Sequence, residues 1–357
     1  MKKLILSSFV FCWAAASVFG QGGKAYLAGS EYTVENIEEL NSENLDFCAV
    51  PFQEGVIFTS NRQDDRWLSC SNPNDNTRFT NLMYAEENQD GEFVNITPLA
   101  KNVNEIYHDG VATFDQSGKT VFFSRNNKTK NKLNEIDLDV MVANVSGTAW
   151  SNLKDLPWNT PVTDECHPSL SSDGLKLYFA SDRPGGFGGM DIWVSEYNGS
   201  TWGEPMNLGS NVNSKKNEIF PFIREDGVLF FASNGHKGKG GLDVFMTQKI
   251  VEMDDLSWAL PRNLGEPVNS KGDDFGFYAN ASGTKGYLSS NRGGGVGQDD
   301  IYKWTREDKD FDVPVCFTDE ETGEVLADVT ATLVPVSSSF EAIPNDQDGD
   351  VFVVSER

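Results

Sequence analysis

A four-strand pattern that recurs five times in 357 residues predicts an all-β chain: a five-bladed β-propeller closed by an N-terminal strand, then a partial small β-sandwich. Three observations carry this reading. The stretch Glu165–Glu218 holds four strand-like runs separated by turn signals, enough for one blade. The serine closing the second run recurs as Ser60, Ser124, Ser181, Ser233 and Ser290, at intervals of 64, 57, 52 and 57 residues. A period in this range marks a repeat architecture. The last copy lacks a fourth run, and a segment before the first copy reads as a spare one.

In the clearest copy, His167–Leu170 is short and extended. Ser172-Asp173-Gly174 turns the chain, because Asp bonds its own backbone and Gly accepts positive φ. Leu175–Ala180 is apolar and aromatic, as a strand covered on both faces requires. Asp182–Gly186 breaks it, Met190–Tyr197 forms the third run, Asn198-Gly199 is a hairpin signal, and Trp202–Leu208 is the fourth run. Later copies begin at Ile219 and Phe275, an earlier one at Tyr107, and the most degenerate near Phe47. Polar insertions at 63–81 and 126–137 read as surface loops.

The segment Glu31–Asp46 aligns with the blade tails. Asn36 falls on Asn207 and Asn263, and Asn41-Ser42 on Asn213-Ser214 and Asn269-Ser270. Glu31–Leu40 is therefore expected to pair antiparallel with Asp300–Trp304 as the outer strand of the last blade, leaving the ring without a long open edge.

The run SSDGLKLYFASDRPGGFGGMDIWVSEYNGSTWGEPMNLGSNVNS, Ser171 to Ser214, resembles the bacterial WD40-like, TolB-like propeller repeat. Its GG-x-GG-x-D-I and NLG-x-x-VNS elements are similar to those of propellers in OmpA-family envelope proteins, including proteins associated with type IX secretion. The resemblance covers roughly Glu31–Trp304 and gives a propeller domain of 31–306. It implies a non-enzymatic periplasmic scaffold associated with the outer membrane or cell wall, with envelope proteins as partners. Peptidoglycan would be reached only through an OmpA-like domain absent from this chain. The alternatives are a propeller glycoside hydrolase and a sugar-binding propeller. After the charged linker Arg306–Asp312, the alternating run Val313–Val334 around Glu321-Thr322-Gly323 resembles the start of a carboxypeptidase regulatory-like domain over 313–357. The 45 residues after Asp312 fall short of the roughly 80–100 of a small Greek-key sandwich, so this piece reads as incomplete.

Lys2 and Lys3 before the apolar run Leu4–Ala16 predict a signal peptide over 1–20, hence export. Its removal takes the net charge from −25 to −27. Such acidity argues against nucleic acid, which needs a basic footprint. Of the remaining cysteines, Cys48 and Cys166 lie near equivalent places in different blades and are not expected to pair. Cys48 with Cys70 is conceivable, Cys316 is unassigned, and no CxxC spacing suggests zinc.

No catalytic, cofactor-binding or metal-binding residue is predicted, and no cofactor. Asn81, Asp139, Asp191, Asp243 and Asp300 open the third run of each copy. A residue repeated in every blade serves the blade, here by accepting N–H bonds from the preceding glycine-rich turn. Arg62, Arg125, Arg183 and Arg292 follow the repeated serine and read as charge partners of those turns or acids. A glycosidase would need unrepeated carboxylates from different blades. Asp109 and Glu165 are the candidates, but Glu165 is matched by Glu105, Glu218 and Asp274. His108, His167 and His236 lie in no catalytic motif, and the glycine-rich loops match no phosphate-binding pattern. Asn345–Asp350 reads as a polar turn, since it lacks the Glu of a calcium loop.

Overall fold

The computed structural model describes residues 15–17, 24–62, 78–99, 103–104, 108–127, 137–250, 257–314, 340–344 and 352–356. The chain divides into two units, Thr33–Thr305 and the chain ends, Met1–Tyr32 with Arg306–Arg357. In the end unit, Ala15–Ser17 pairs antiparallel with Tyr26–Ala28, and Phe340–Pro344 with Phe352–Glu356. Cys12, Cys70, Cys316, residues 63–77 and 128–136, Asn345–Asp350 and most of the expected leader and sandwich start lie outside the described residues.

Thr33–Thr305 is the five-bladed propeller. Blade 1 comprises Asp46–Phe52, Gly55–Ser60, Asn81–Glu87 and Phe93–Pro98. Blade 2 comprises Asp109–Phe114, Thr120–Asn126, Leu138–Ser146 and Ala149–Asp155. Blade 3 comprises Glu165–Leu170, Lys176–Ser181, Asp191–Glu196 and Met206–Asn207. Blade 4 comprises Glu218–Ile223, Val228–Ser233, Asp243–Gln248 and Arg262–Asn263. In blade 5, Asp274–Ala279 and Lys285–Ser290 are followed by Asp300–Pro314 up to Thr305, and then by Lys24–Asn36 from Thr33 onward. The outer strands of blades 3 and 4 are shorter than the run Trp202–Leu208 suggested, with Trp202 and Trp258 held by isolated bridges to Tyr197 and Lys249.

The ring closes as the aligned asparagines predict. Thr33 Oγ1 lies 2.7 Å from Thr305 Oγ1, Asn36 Nδ2 donates to Asp300 Oδ2 at 3.1 Å, and Ile37 N–H donates to the Ile301 carbonyl at 3.1 Å. The pairs Thr33–Thr305, Glu35–Lys303 and Ile37–Ile301 run in opposite order, so the pairing is antiparallel. It ends sooner than Leu40: the Leu40 N–H turns back to the Ile37 carbonyl, and the Leu40 side chain is fully buried.

The second strands supply the core. Phe58, Phe123, Phe179 and Phe231 occupy matching positions and are essentially solvent-free, each contributing about 1.5–3 kcal/mol by burial. Neighbouring blades are latched through backbone bonds. The first N–H of the inner strand reaches the previous blade in Asp46 to Asp299 O, Asp109 to Thr80 O, Glu218 to Met190 O and Asp274 to Leu242 O, at 2.7–3.0 Å. A side-chain bond joins blades 2 and 3, Leu138 N–H donating to Asp164 Oδ1 at 2.7 Å, and it recurs beside the backbone latch as Met190 N–H to Asn217 Oδ1 and Leu242 N–H to Asp273 Oδ1 at 3.0 and 2.8 Å. Among the described residues no helix is long and apolar enough to cross a membrane.

Candidate functional site

Two sets of acids recur, and the structure separates their roles. In the third strands, Asp191 accepts N–H bonds from Phe187 and Gly188, Asp243 from Lys239 and Gly240, and Asp300 from Val296 and Gly297. That is the turn-closing role predicted for them. Asp139 departs from it. Its Oδ1 is buried without a partner, and burial, with Glu165 and Asp155 nearby, pushes its carboxyl up to about 7.

The arginines do not pair with this set. They serve acids that open the inner strands: Arg62 with Asp46 at 2.5 Å, Arg125 with Asp109 at 2.5 Å, Arg183 with Glu165 at 2.9 Å and Arg292 with Asp274 at 2.6 Å. The repeated serine joins the cluster, Ser290 donating to Asp274 at 2.6 Å while Arg292 Nε donates to Ser290 Oγ at 3.0 Å. Asp109 is thus the blade 2 acid that meets the arginine as Glu165 does, and Asp46 completes the set; Glu105 lies outside the described residues. Asp109 pairs with Arg125 across the strands where the other acids face the serine, which explains why Arg125 follows Ser124 directly. Neither Asp109 nor Glu165 is therefore unrepeated. Both are buried in ion pairs, and burial raises the Glu165 pKa against the pull of Thr163 and Arg183.

Blade 4 has Gly235 two residues after its serine. There His236 takes over the arginine's other contact: His236 Nε2 lies 2.7 Å from the Val212 carbonyl, as Arg292 Nη2 lies 2.6 Å from that of Val268. Glu218 is satisfied by Ser214 N–H, Ser214 Oγ and Ser233 Oγ at 2.6–2.7 Å. The three histidines do not converge: His108 meets Thr80, His167 stacks on Phe220, and His236 holds Val212.

The axis carries the feature that sequence reasoning missed. Each inner strand contains a bulge with its third residue in the left-handed region: Cys48 (φ 55°), Val111 (44°), His167 (55°), Phe220 (52°) and Gly276 (57°). For non-glycine residues this costs on the order of 1–3 kcal/mol each, and such strain concentrates at functional sites. A hydroxyl from the previous blade's second strand supports three of these bulges. Cys48 N–H donates to Ser289 Oγ, Val111 N–H to Thr59 Oγ1 and His167 N–H to Ser124 Oγ, at 2.8–2.9 Å. The matching positions for Phe220 and Gly276 are Ala180 and Ala232. Only Gly276 offered a sequence signal.

The starts of the inner strands plug the axis. Phe47, Phe220 and Phe275 make mutual ring contacts at 4.8–6.5 Å, and His167 stacks on Phe220 at 3.7 Å. Burial pushes the His167 imidazole down to about 3, so it is neutral. Above the plug, the far halves of the strands surround a basin of about 220 Å³ walled by Pro51, Phe114, Pro168, Pro221, Phe222 and Tyr278. No charged residue lines it. Its Thr113 and Ser169 hydroxyls already accept bonds from Leu170 and Ile223 N–H. Cys48 and Cys166 are buried free thiols. Among the described residues no three His, Cys, Asp or Glu side chains gather as a metal site.

No protein-family profile and no curated protein matches this sequence. Among solved structures the chain is similar to TolB from Acinetobacter baumannii, with 13% identity and a TM-score of 0.38 over 73% of this chain and 55% of that one. It is also similar to an alpha-L-arabinofuranosidase from Lactobacillus brevis, with 10% identity and a TM-score of 0.46 over 75% and 90%. A protein of unknown function from Dyadobacter fermentans gives 9% identity and a TM-score of 0.46 over 86% and 99%. The chain thus spans about half the length of the TolB chain it matches.

Proposed function

We propose that this chain is a non-enzymatic interaction module of the bacterial envelope, and that its axial basin receives an apolar segment of a partner protein. The observation that carries this reading is the basin itself, a proline- and aromatic-walled cavity on strained, rigid strands, with no carboxylate, histidine or lysine among its lining residues. Hydrolysis by paired carboxylates needs two acids facing a cleft. Here the candidate acids Asp109 and Glu165 are neutralised in buried ion pairs. The resemblance to TolB-like and OmpA-family propellers supports a periplasmic setting at the outer membrane, with a type IX secretion component as its narrowest form.

A photo-crosslinking residue at Phe222, compared with one at the exposed Leu175, tests the reading in intact cells. A discrete adduct at Phe222, lost when Ser169 is replaced by Arg to fill the basin, is expected. Identical adducts at both positions would sink it. Turnover of a glycan or peptide that disappears in Asp109→Asn would favour the hydrolase instead.

A further inference from the structure

A second cavity, about 630 Å³, lies where blade 5 meets blade 1. It has a structural cause. In blades 3 and 4 the outer strand carries a tryptophan that packs toward the previous blade: Trp202 against Phe122 at 5.5 Å, and Trp258 against Tyr178 at 6.2 Å. In blade 1 the corresponding ring is the smaller Phe93, which meets Tyr287 at 6.5 Å. The seam is left open.

The cavity's chemistry is of two kinds. Its floor is a pair of tyrosines, Tyr278 and Tyr287, register partners on adjacent strands with ring planes 25° apart and centroids 6.1 Å apart. Both are half-buried, and neither phenol has a hydrogen-bond partner among the described residues. Burial, with Glu87 nearby, pushes the Tyr287 hydroxyl up to about 12, so it stays a neutral donor. The rim brings side chains of both signs together with amides: Glu54, Glu87, Lys285, Lys303, Asn88 and Asn280. A flat aromatic floor offers contact area to an apolar ring face while its polar edge stays wet. A few convergent donors and acceptors around it fix orientation. No single sign of charge dominates, which disfavours a polyanion or polycation.

We infer that this seam cleft binds a neutral oligosaccharide, one sugar face lying on the Tyr278–Tyr287 floor and its hydroxyls bonding the Glu, Lys and Asn rim. The inference does not rest on the axial basin's role, although Pro51 and Tyr278 border both cavities. A bound sugar touches the first and last blades together, so it also braces the ring closure.

The test is calorimetric titration of the full chain with cellotetraose, xylotetraose and chitotetraose, with melting curves in parallel. At least one sugar should bind saturably and raise the melting temperature, as ligand linkage to the native state requires. Tyr287→Ala should weaken that binding roughly tenfold, the scale of one lost aromatic contact, while Tyr287→Phe keeps most of it. Because Tyr287→Ala touches the core, Glu87→Gln and Lys285→Ala, both at exposed rim positions, provide the second arm and should weaken binding without moving the unliganded melting point. Pro168→Ala, in the axial basin and away from the seam cleft, should leave sugar binding unchanged, which separates this inference from the proposed function. No saturable binding of any of the three sugars, binding unaffected by both rim variants, or saturable binding only of a salt-sensitive tetralysine peptide would overturn it.

Discussion

Asn41 and Ile301, 260 residues apart, exchange two hydrogen bonds: Ile301 N–H donates to Asn41 Oδ1 at 2.8 Å, and Asn41 Nδ2 donates to the Ile301 carbonyl at 2.9 Å. The side chain acts as an extra rung on the third strand of blade 5. Asn213 does the same for Ile192, Asn269 for Val244 and Asn104 for Leu82. Only at Asn41 does the rung join the two ends of the propeller.

Replacing Asn41 by Ala leaves the buried Ile301 N–H unmatched, at about 1–3 kcal/mol for an unsatisfied group, while the Ile301 carbonyl keeps the Ile37 N–H. Asn41→Ala should therefore lower the whole propeller's stability in one cooperative transition, seen by both fluorescence and circular dichroism. Asn159, whose Nδ2 reaches the Val140 carbonyl at 2.9 Å but whose Oδ1 has no partner, should cost less when replaced. A separate early transition for blade 5 in Asn41→Ala would count against ring-wide coupling. Deleting residues 21–44 should destabilise the entire ring for the same reason.

Much of this fold was legible because a repeated asparagine or serine has a repeated backbone task, and the task shows as spacing. Asn36 and Asn41 betrayed the closing strand in that way. The axial bulges were not legible, because Cys48, Val111, His167 and Phe220 carry no glycine signal, and the first three are held from the previous blade by Ser289, Thr59 and Ser124. The ion pairs were half legible: the arginines recur visibly, but cross-strand register decides which acid they meet. In blade 2 a one-residue shift, with Asp109 facing Arg125 and not Ser124, hid that pairing. The seam cleft depends on Phe93 standing where other blades carry tryptophan, a difference of volume that no motif announces.

The inner-strand pairs give a graded expectation. Arg183→Ala leaves Glu165 buried without its cation and removes the guanidinium that packs over Trp158, Phe179 and Trp193 at 5.1–5.6 Å. Orphaning a buried partner costs about 3–5 kcal/mol. His236→Ala in blade 4 loses a bond to the Val212 carbonyl and leaves Glu218 with its own donors, so about 1 kcal/mol is expected. Urea midpoints at constant slope measure both. Equal losses would show that Glu218 also depends on a cation.

Two buried groups predict opposite pH trends. His167 is pushed down to about 3, below its unfolded value of about 6.5. Between these values the unfolded chain binds more protons, so this group's contribution is lost as pH falls. Asp139 is pushed up to about 7 from 3.8, so the folded chain binds more protons and its contribution is lost as pH rises. Relative to the parent protein, His167→Phe should gain stability toward acid, and Asp139→Asn should gain it from about pH 4 to 7, each by roughly 1.4 kcal/mol per pH unit at most. Denaturant melts at both ends of that range decide the signs; parallel curves for parent and variants would refute both assignments.

The most demanding prediction joins Gly276 to Cys48. Gly276 is the left-handed bulge residue of blade 5, and a β-carbon there would lie 2.5 Å from Cys48 Sγ and 3.1 Å from Ser289 Oγ. Gly276→Ala thus meets two obstacles: positive φ, at on the order of 1–3 kcal/mol, and a collision with a sulfur held in a plugged axis. Cys48→Ala removes the sulfur and leaves the φ cost. It should destabilise by itself, since it empties space among Phe220, Phe275 and Val111. In the double variant the new methyl enters the space the sulfur vacates, so the combined loss should be smaller than the sum of the single losses. Contacting residues couple by about 0.5–3 kcal/mol in such cycles. A double-mutant cycle by chemical denaturation reads this coupling directly. Strict additivity would mean that the two blades do not meet at the axis through these atoms, and that the ring of bulged residues is not the shared plug described here.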